Sequence, residues 1–207
     1  MNSPRIFIRK RELEVTLQSI VSHAQPKIDL EQYTTPADLA ANLLYTACYV
    51  FRDIKDKTVI DLGTGTGRLA IGAAILGARS VVGIDIDAAP LHTASQNSKR
   101  MDLEVDWVLG DIDTIRSRFD TVIMNPPFGT KHRHADVRFL RAAMKIGEII
   151  YSIHKSATYP FLSRWLSDHD AECDVIMKTM IPITHQFDFH RKRSHLVAVN
   201  VLRIMLA

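Results

Sequence analysis

From Thr58 onward the chain alternates short apolar runs with longer stretches of helical spacing. The runs predict strands at Thr58–Leu62, Ser80–Ile86, Glu104–Leu109, Phe119–Met124, Glu148–His154, Glu172–Pro182 and Leu196–Leu206. The intervening stretches predict helices at Arg68–Leu76, Ala88–Met101, Asp136–Lys145 and Ala157–Asp168. Alternation of this kind implies a mostly parallel sheet covered by helices on both faces. The last two strands are separated only by the loop Thr184 to Ser194, so they should form an antiparallel pair that closes the sheet. The expected fold class is α/β: seven strands, mostly parallel with one antiparallel strand at one end, and helices on both faces.

Before the first strand, Ile8 to Ala24 has helical spacing, with Leu13, Leu17, Ile20 and Val21 on one face, and Pro26 ends it. A loop from Leu30 to Pro36 follows. Thr35 reads as an N-cap and Pro36 as the first residue of a helix that runs from Ala37 to Phe51.

Composition narrows the class. A chain of 207 residues with 46% hydrophobic content can bury a full core in one domain. A net charge of +3 permits a nucleic-acid partner without requiring one. The two cysteines, Cys48 and Cys173, lie in apolar segments with no CxxC pair, which reads as reduced core thiols of a cytoplasmic protein and no metal site. Met1 to Arg11 is basic but lacks the apolar core of a secretory signal, and no stretch is long enough to span a membrane. Met177, Met180 and Met205 alternate along strands and read as core.

The candidate chemistry lies at the ends of the strands. Asp61-Leu62-Gly63-Thr64-Gly65-Thr66-Gly67 follows the first strand and opens a helix, and its glycines let the backbone approach a ligand. The second strand ends in Asp85-Ile86-Asp87, and an acid about 20 positions beyond a glycine loop accepts both hydroxyls of a ribose. A nicotinamide dinucleotide would use G-x-G-x-x-G. Here the loop is G-x-G-x-G preceded by Asp61, which would repel a pyrophosphate but suits the amino group of a methionyl moiety. The pattern therefore points to S-adenosyl-L-methionine. Gly110-Asp111-Ile112 follows the third strand; Asp111 can accept from adenine N6, and Ile112 can flank the ring beside Ile86. The bland alternative is a tight turn with ordinary surface acids.

The fourth strand runs directly into Asn125-Pro126-Pro127-Phe128. The prolines stiffen the turn. The Asn125 side chain and the Pro126 carbonyl can both accept from one NH2 group, and Phe128 offers a face for a base. Two acceptors localise the lone pair of an exocyclic or amide nitrogen, otherwise a poor nucleophile. The alternative is a rigid strand end.

Together these residues resemble class I amino-methyltransferases with an (N/D)-P-P-(F/Y/W) motif, and so imply a Rossmann-like class I methyltransferase fold. Several longer strings are similar to the archaeal and eukaryotic small-subunit ribosomal RNA adenine-N6 methyltransferase family. They are Leu30-Glu31-Gln32-Tyr33, Asp120 to Lys131, Tyr151-Ser152-Ile153-His154-Lys155 and Phe189 to Ser194. The resemblance covers the chain from about Leu13 onward. It implies that Gln32, Tyr33 and Thr34 line the methionine end of the cofactor and that Asp61, Gly63, Thr64 and Gly65 hold the methionyl group. It further implies that Asp85 takes the ribose and Asp111 the adenine, while Asn125, Pro126, Pro127 and Phe128 hold the target base. Residues 1–35 would form an N-terminal helix and cofactor-covering loop, and 36–207 the methyltransferase domain. It also implies a small zinc-binding methyltransferase activator, docked by strand addition at a sheet edge near Val105 to Leu109.

The expected reaction is direct methyl transfer to the N6 of an unpaired or flipped adenosine, with no metal and no covalent nucleophile. Lys131 and Arg133, with Lys155 and the cluster His190, Arg191, Lys192 and Arg193, would form a phosphate-binding rim for RNA. His132 and His134 read as surface histidines, and His154 as either a substrate contact or a structural residue. The rival functions are protein-glutamine N5 methylation, DNA adenine methylation, and a non-catalytic cofactor-binding subunit associated with RNA.

Overall fold

The computed structural model describes residues 7–22, 27, 32–128, 135–184 and 194–206. In chain order the elements are α1 (Lys10–Gln18), α2 (Ala37–Tyr45), β1 (Thr58–Leu62), α3 (Arg68–Ile75), β2 (Ser80–Asp85), α4 (Ala88–Arg100) and β3 (Asp106–Leu109). They continue with β4 (Phe119–Met124), α5 (Ala135–Ile146), β5 (Gly147–Lys155), α6 (Tyr159–Ser167), β6 (Ala171–Thr184) and β7 (Ser194–Leu206). The seven strands form one sheet in the order β3-β2-β1-β4-β5-β7-β6. All pairs are parallel except those made by β7, which lies antiparallel between β5 and β6.

The order reverses between β1 and β4, so the carboxyl ends of those strands open a crevice at a topological switch point. Register then decides what meets there. Asp61 pairs with Gly83 on one side and Ile123 on the other, and Leu62 pairs with Met124. The residues that follow β1, β2 and β4 therefore emerge side by side.

Side-chain alternation splits the core into two layers. Val59, Val81, Ile123, Tyr151, Ile153, Val199 and Val201 face α1, α2 and α3 and pack with Leu13, Leu17, Leu43, Leu44 and Ile71. Ile60, Leu62, Ile84, Val122, Met124 and Leu202 face α5 and α6 and pack with Leu140, Leu162 and Leu166. The edge strand β3 joins tightly because β2 and the glycine loop leave room for Trp107. A Cβ at Gly83 would come within 2.4 Å of the Trp107 ring, and one at Gly67 within 2.6 Å.

The structure corrects several expectations. The first helix is shorter, ending at Gln18, and Ser19 caps it by giving its hydroxyl to the Thr16 carbonyl; Pro26 lies outside the described residues. Leu13, Leu17 and Ile20 are buried, but Val21 is exposed. Pro36, not Thr35, is the N-cap of α2, and the predicted continuation to Phe51 closes as a wider π turn over Thr46–Val50. A 3-10 turn at Ser156–Thr158 precedes α6. Met180 is 52% exposed rather than core, because the outer part of the β6–β7 pair runs past the end of β5. Cys48 is buried and Cys173 half-buried, both free thiols. Among the described residues no helix is long and apolar enough to cross a membrane.

Candidate active site

The glycine loop turns sharply out of β1. Gly63, Gly65 and Gly67 have φ of 69°, 55° and 85°, a left-handed region that side chains resist. The amides of Gly63 and Thr64 both donate to the Ile84 carbonyl at 2.9 Å, which ties the loop to β2. Asp61 is buried beneath it. Its Oδ2 accepts from the Thr64 hydroxyl at 2.6 Å and from the Ala70 amide at 3.1 Å. Burial pushes its carboxyl up to about 7 despite those donors. Asp61 and Thr64, expected at the methionyl group, bind the loop to the first turn of α3.

Asp85, at the tip of β2, takes the Gly65 amide on Oδ2 at 2.8 Å and the Asp87 amide on Oδ1 at 2.9 Å. The loop amide that a pyrophosphate would need is therefore already given to a carboxylate. Asp87 caps α4 and receives Lys27 at 2.9 Å and the Gln32 amide at 3.0 Å. Gln32, expected at the methionine end, thus reaches the segment after β2. Asp111 begins the 3-10 turn Ile112–Thr114 and is ion-paired with Arg138 of α5. The Asp113 amide and the Arg138 guanidinium hold the Asp111 carboxyl below the usual range. Ile112 is buried, whereas Ile86 is 60% exposed.

Asn125 leaves the end of β4 beside this loop. Its Oδ1 accepts from the Tyr33 hydroxyl at 2.6 Å, and its Nδ2 donates to the Thr35 hydroxyl at 2.9 Å. The Thr35 carbonyl accepts from Arg68 Nη1 at 2.6 Å. Pro126 is buried and Pro127 and Phe128 are half-buried. The Tyr33 ring lies 5.3 Å from that of Phe128, tilted by 37°, and Lys155 Nζ stands 5.3 Å from the Phe128 centroid.

Of the two residues ending β5, Lys155 reaches the site. His154 is buried, bonded to Ser152 at 2.7 Å, and pushed down to about 3 by desolvation, so it is a neutral core residue. Lys131, His132, Arg133, His134, His190, Arg191, Lys192 and Arg193 lie outside the described residues. Among the described residues no cluster of three or more His, Cys, Asp or Glu could hold a metal.

Three side chains at the site were missed by sequence reasoning. Thr35 was read as a cap, and its contact lies 90 residues away in sequence. Arg68 and Arg138 gave one weak signal each. A cation in the first turn of a helix opposes the dipole, which suggests it is held elsewhere. Arg68 is so held, donating to the carbonyls of Thr35 and Ile20.

Carboxylates at the tips of three adjacent strands, around a glycine loop whose amide is already occupied, suit a cationic nucleoside with an amino-acid tail. The residues fit S-adenosyl-L-methionine, and the fold and site define a class I methyltransferase that uses it as methyl donor. Residues 34–179 match the family described as Methyltransferase small domain. The Danio rerio protein "rRNA N(6)-adenosine-methyltransferase METTL5" is 39% identical over 203 residues, covering 95% of this chain and 98% of its own. Its Drosophila melanogaster counterpart is 37% identical over 204 residues, covering 95% and 96%. The crystal structure of PH1948 from Pyrococcus horikoshii matches with a TM-score of 0.89 at 37% identity, over 98% of this chain and 100% of that one. The chain belongs to the methyltransferase small domain family, within the group that these METTL5 relatives define.

Proposed function

We propose that this enzyme methylates the exocyclic N6 of an adenosine in small-subunit ribosomal RNA. The observation that carries the reading is the Asn125 amide at the tip of β4, beside the glycine loop and the Phe128 ring, in a chain that METTL5 proteins match over nearly its whole length.

S-adenosyl-L-methionine, when bound, supplies an electrophilic methyl group on its sulfonium. Asp61, Gly63, Thr64 and Gly65, with Tyr33 and Thr34, form the wall for its methionyl part. Asp85 serves the ribose, with Gln32 held beside it through Asp87. Asp111, held by Arg138, accepts from the adenine, which Ile86 and Ile112 flank. Asn125 Oδ1 and the Pro126 carbonyl accept the two hydrogens of the target amino group, turning its lone pair towards the methyl group. Phe128 stacks on the base, a contact worth roughly 1–3 kcal/mol in single-stranded recognition. Lys155, over the same ring, neutralises a nearby phosphate. No side chain has to act as a strong base, since the nitrogen loses its proton readily once alkylated.

The basic clusters Lys131–Arg133 and His190–Arg193 extend this to an RNA rim. An activator is the further reading. β3 ends the sheet, pairs only with β2 among the described residues, and leaves Leu109 59% exposed, so its outer edge suits strand addition by a small zinc-binding subunit.

The test is methyl transfer from labelled S-adenosyl-L-methionine to protein-free ribosomal RNA, a DNA duplex and a release-factor-type protein, with and without an activator, beside Asn125→Ala. N6-methyladenosine in the RNA, lost in the variant, is the expected product. Label in the protein acceptor would move the reading to glutamine methylation. A fully active, stable monomer would remove the activator.

A further inference from the structure

We propose that Tyr33 and Thr35 are positioning residues that fix the Asn125 amide with its oxygen, not its NH2, facing the target nitrogen; this rests on the amino-group methylation proposed above.

A primary amide has two orientations of nearly equal shape, related by a half-turn about its last bond. For an amino-group acceptor they are opposite in value. With Oδ1 forward, Asn125 accepts a hydrogen from the target; with Nδ2 forward, two NH2 groups face each other and neither is satisfied. Nothing within the Asn-Pro-Pro-Phe segment decides between them. The decision comes from the segment before α2.

The two contact lengths match one orientation. The 2.6 Å contact to Tyr33 is that of an O–H···O bond, and the 2.9 Å contact to Thr35 that of an N–H···O bond. Chemistry agrees with geometry. A phenol donates more strongly and accepts more weakly than an alkyl hydroxyl, so the amide oxygen turns to Tyr33 and the NH2 to Thr35. Oδ1 has two lone pairs, and among the described residues Tyr33 takes one, leaving the second for the target.

Both partners are themselves held. The Tyr33 ring rests against Phe128, and the Thr35 carbonyl is held by Arg68, which also reaches the Ile20 carbonyl at 3.3 Å. Arg68 directly follows Gly67, the last glycine of the loop. The orientation of the amide is thereby keyed to the glycine loop through Arg68 and Thr35.

The test uses Tyr33→Phe, Thr35→Val, Thr35→Ser and Asn125→Ala in the full chain. On the 15N-labelled protein alone, the side-chain NH2 signals of Asn125 are assigned by their loss in Asn125→Ala. Their exchange with solvent should quicken about ten-fold in Thr35→Val and Tyr33→Phe, and stay as in the parent in Thr35→Ser. With protein-free ribosomal RNA as acceptor, kcat should fall about ten-fold in Tyr33→Phe and Thr35→Val, cofactor Kd should not change in Thr35→Val, and Thr35→Ser should recover turnover. Unchanged NH2 exchange in both variants would overturn the proposal, as would a loss confined to cofactor affinity. So would faster turnover in Tyr33→Phe, which would make Tyr33 an obstruction in the base site. Full turnover in Asn125→Ala would sink the proposed function instead and leave the exchange measurement to decide the amide question alone.

Discussion

The Asn125 amide sits between two hydroxyls and beside an aromatic ring, at the end of β4, which pairs with the strand that leads into the glycine loop. Its truncation should act on the reaction rather than on binding. Asn125→Ala is expected to lower kcat about a hundred-fold or more with cofactor Kd within about two-fold, measured by single turnover and calorimetry. Two buried groups make a second residue-level prediction. Asp61 titrates near 7 in the folded protein against an ordinary 3.8, so as pH falls from 7 to 3.8 the native state takes up the proton and gains stability. His154 titrates near 3 against 6.5, so as pH falls through that range only the unfolded chain takes up the proton and stability is lost. Each effect is roughly 1 kcal/mol per pH unit, and they oppose each other between about 4 and 6.5. Denaturant titrations should therefore find a nearly flat profile for the parent there. Asp61→Asn should lose stability as pH falls from 6.5 to 4.5, and His154→Gln should gain it. Slopes of the same sign in both variants would contradict the burial of these groups. Asp61, Asp85, Asp111 and Asn125 could be singled out from sequence because each lies at a strand end with a local pattern around it. Thr35, Arg68 and Arg138 could not, since what they do is set by partners 25 to 90 residues away.

At the scale of elements, the alternation of strand and helix after Thr58 was readable throughout, because the inner strands are apolar enough to be buried by helices on both faces and the exposed edge strand β3 still carries the run Trp107-Val108-Leu109. Ends were less so. β6 and β7 extend each other outward beyond the apolar runs, since an antiparallel pair continues for as long as its two backbones find each other. The first helix stops early because Ser19 satisfies the last turn through its own side chain, a competition that apolar spacing does not record. The close approach of β3 to β2 was also invisible, though it carries a clear prediction. Gly83→Ala should destabilise the protein by about 1–3 kcal/mol through overlap with the Trp107 ring. Gly110→Ala, whose added carbon meets nothing nearer than 3.6 Å, should change stability by less than about 0.5 kcal/mol. Urea unfolding of the two variants compares them directly.

At the scale of the molecule, charge and topology set what the enzyme meets and how it assembles. If the cluster following β6 contacts RNA, the Arg191→Ala, Arg193→Ala double variant should bind ribosomal RNA more weakly. The slope of log affinity against log salt should then become shallower by about one to two. An unchanged slope would place the RNA elsewhere. The sheet order has a separate consequence, for synthesis. β6 is made before β7, yet among the described residues it joins the sheet only through β7. While the ribosome is still adding residues 194–206, the strands from β1 to β5 can already pair, but the fourteen residues of β6 have no seat. Completion waits for β7 to slide between β5 and β6, bringing Arg203 to Asp53 and Tyr151, which have waited 150 and 52 residues for it. Until then β5 is an open edge and β6 an unpaired strand on the nascent chain. A chaperone, or a second nascent copy, would find its opening there.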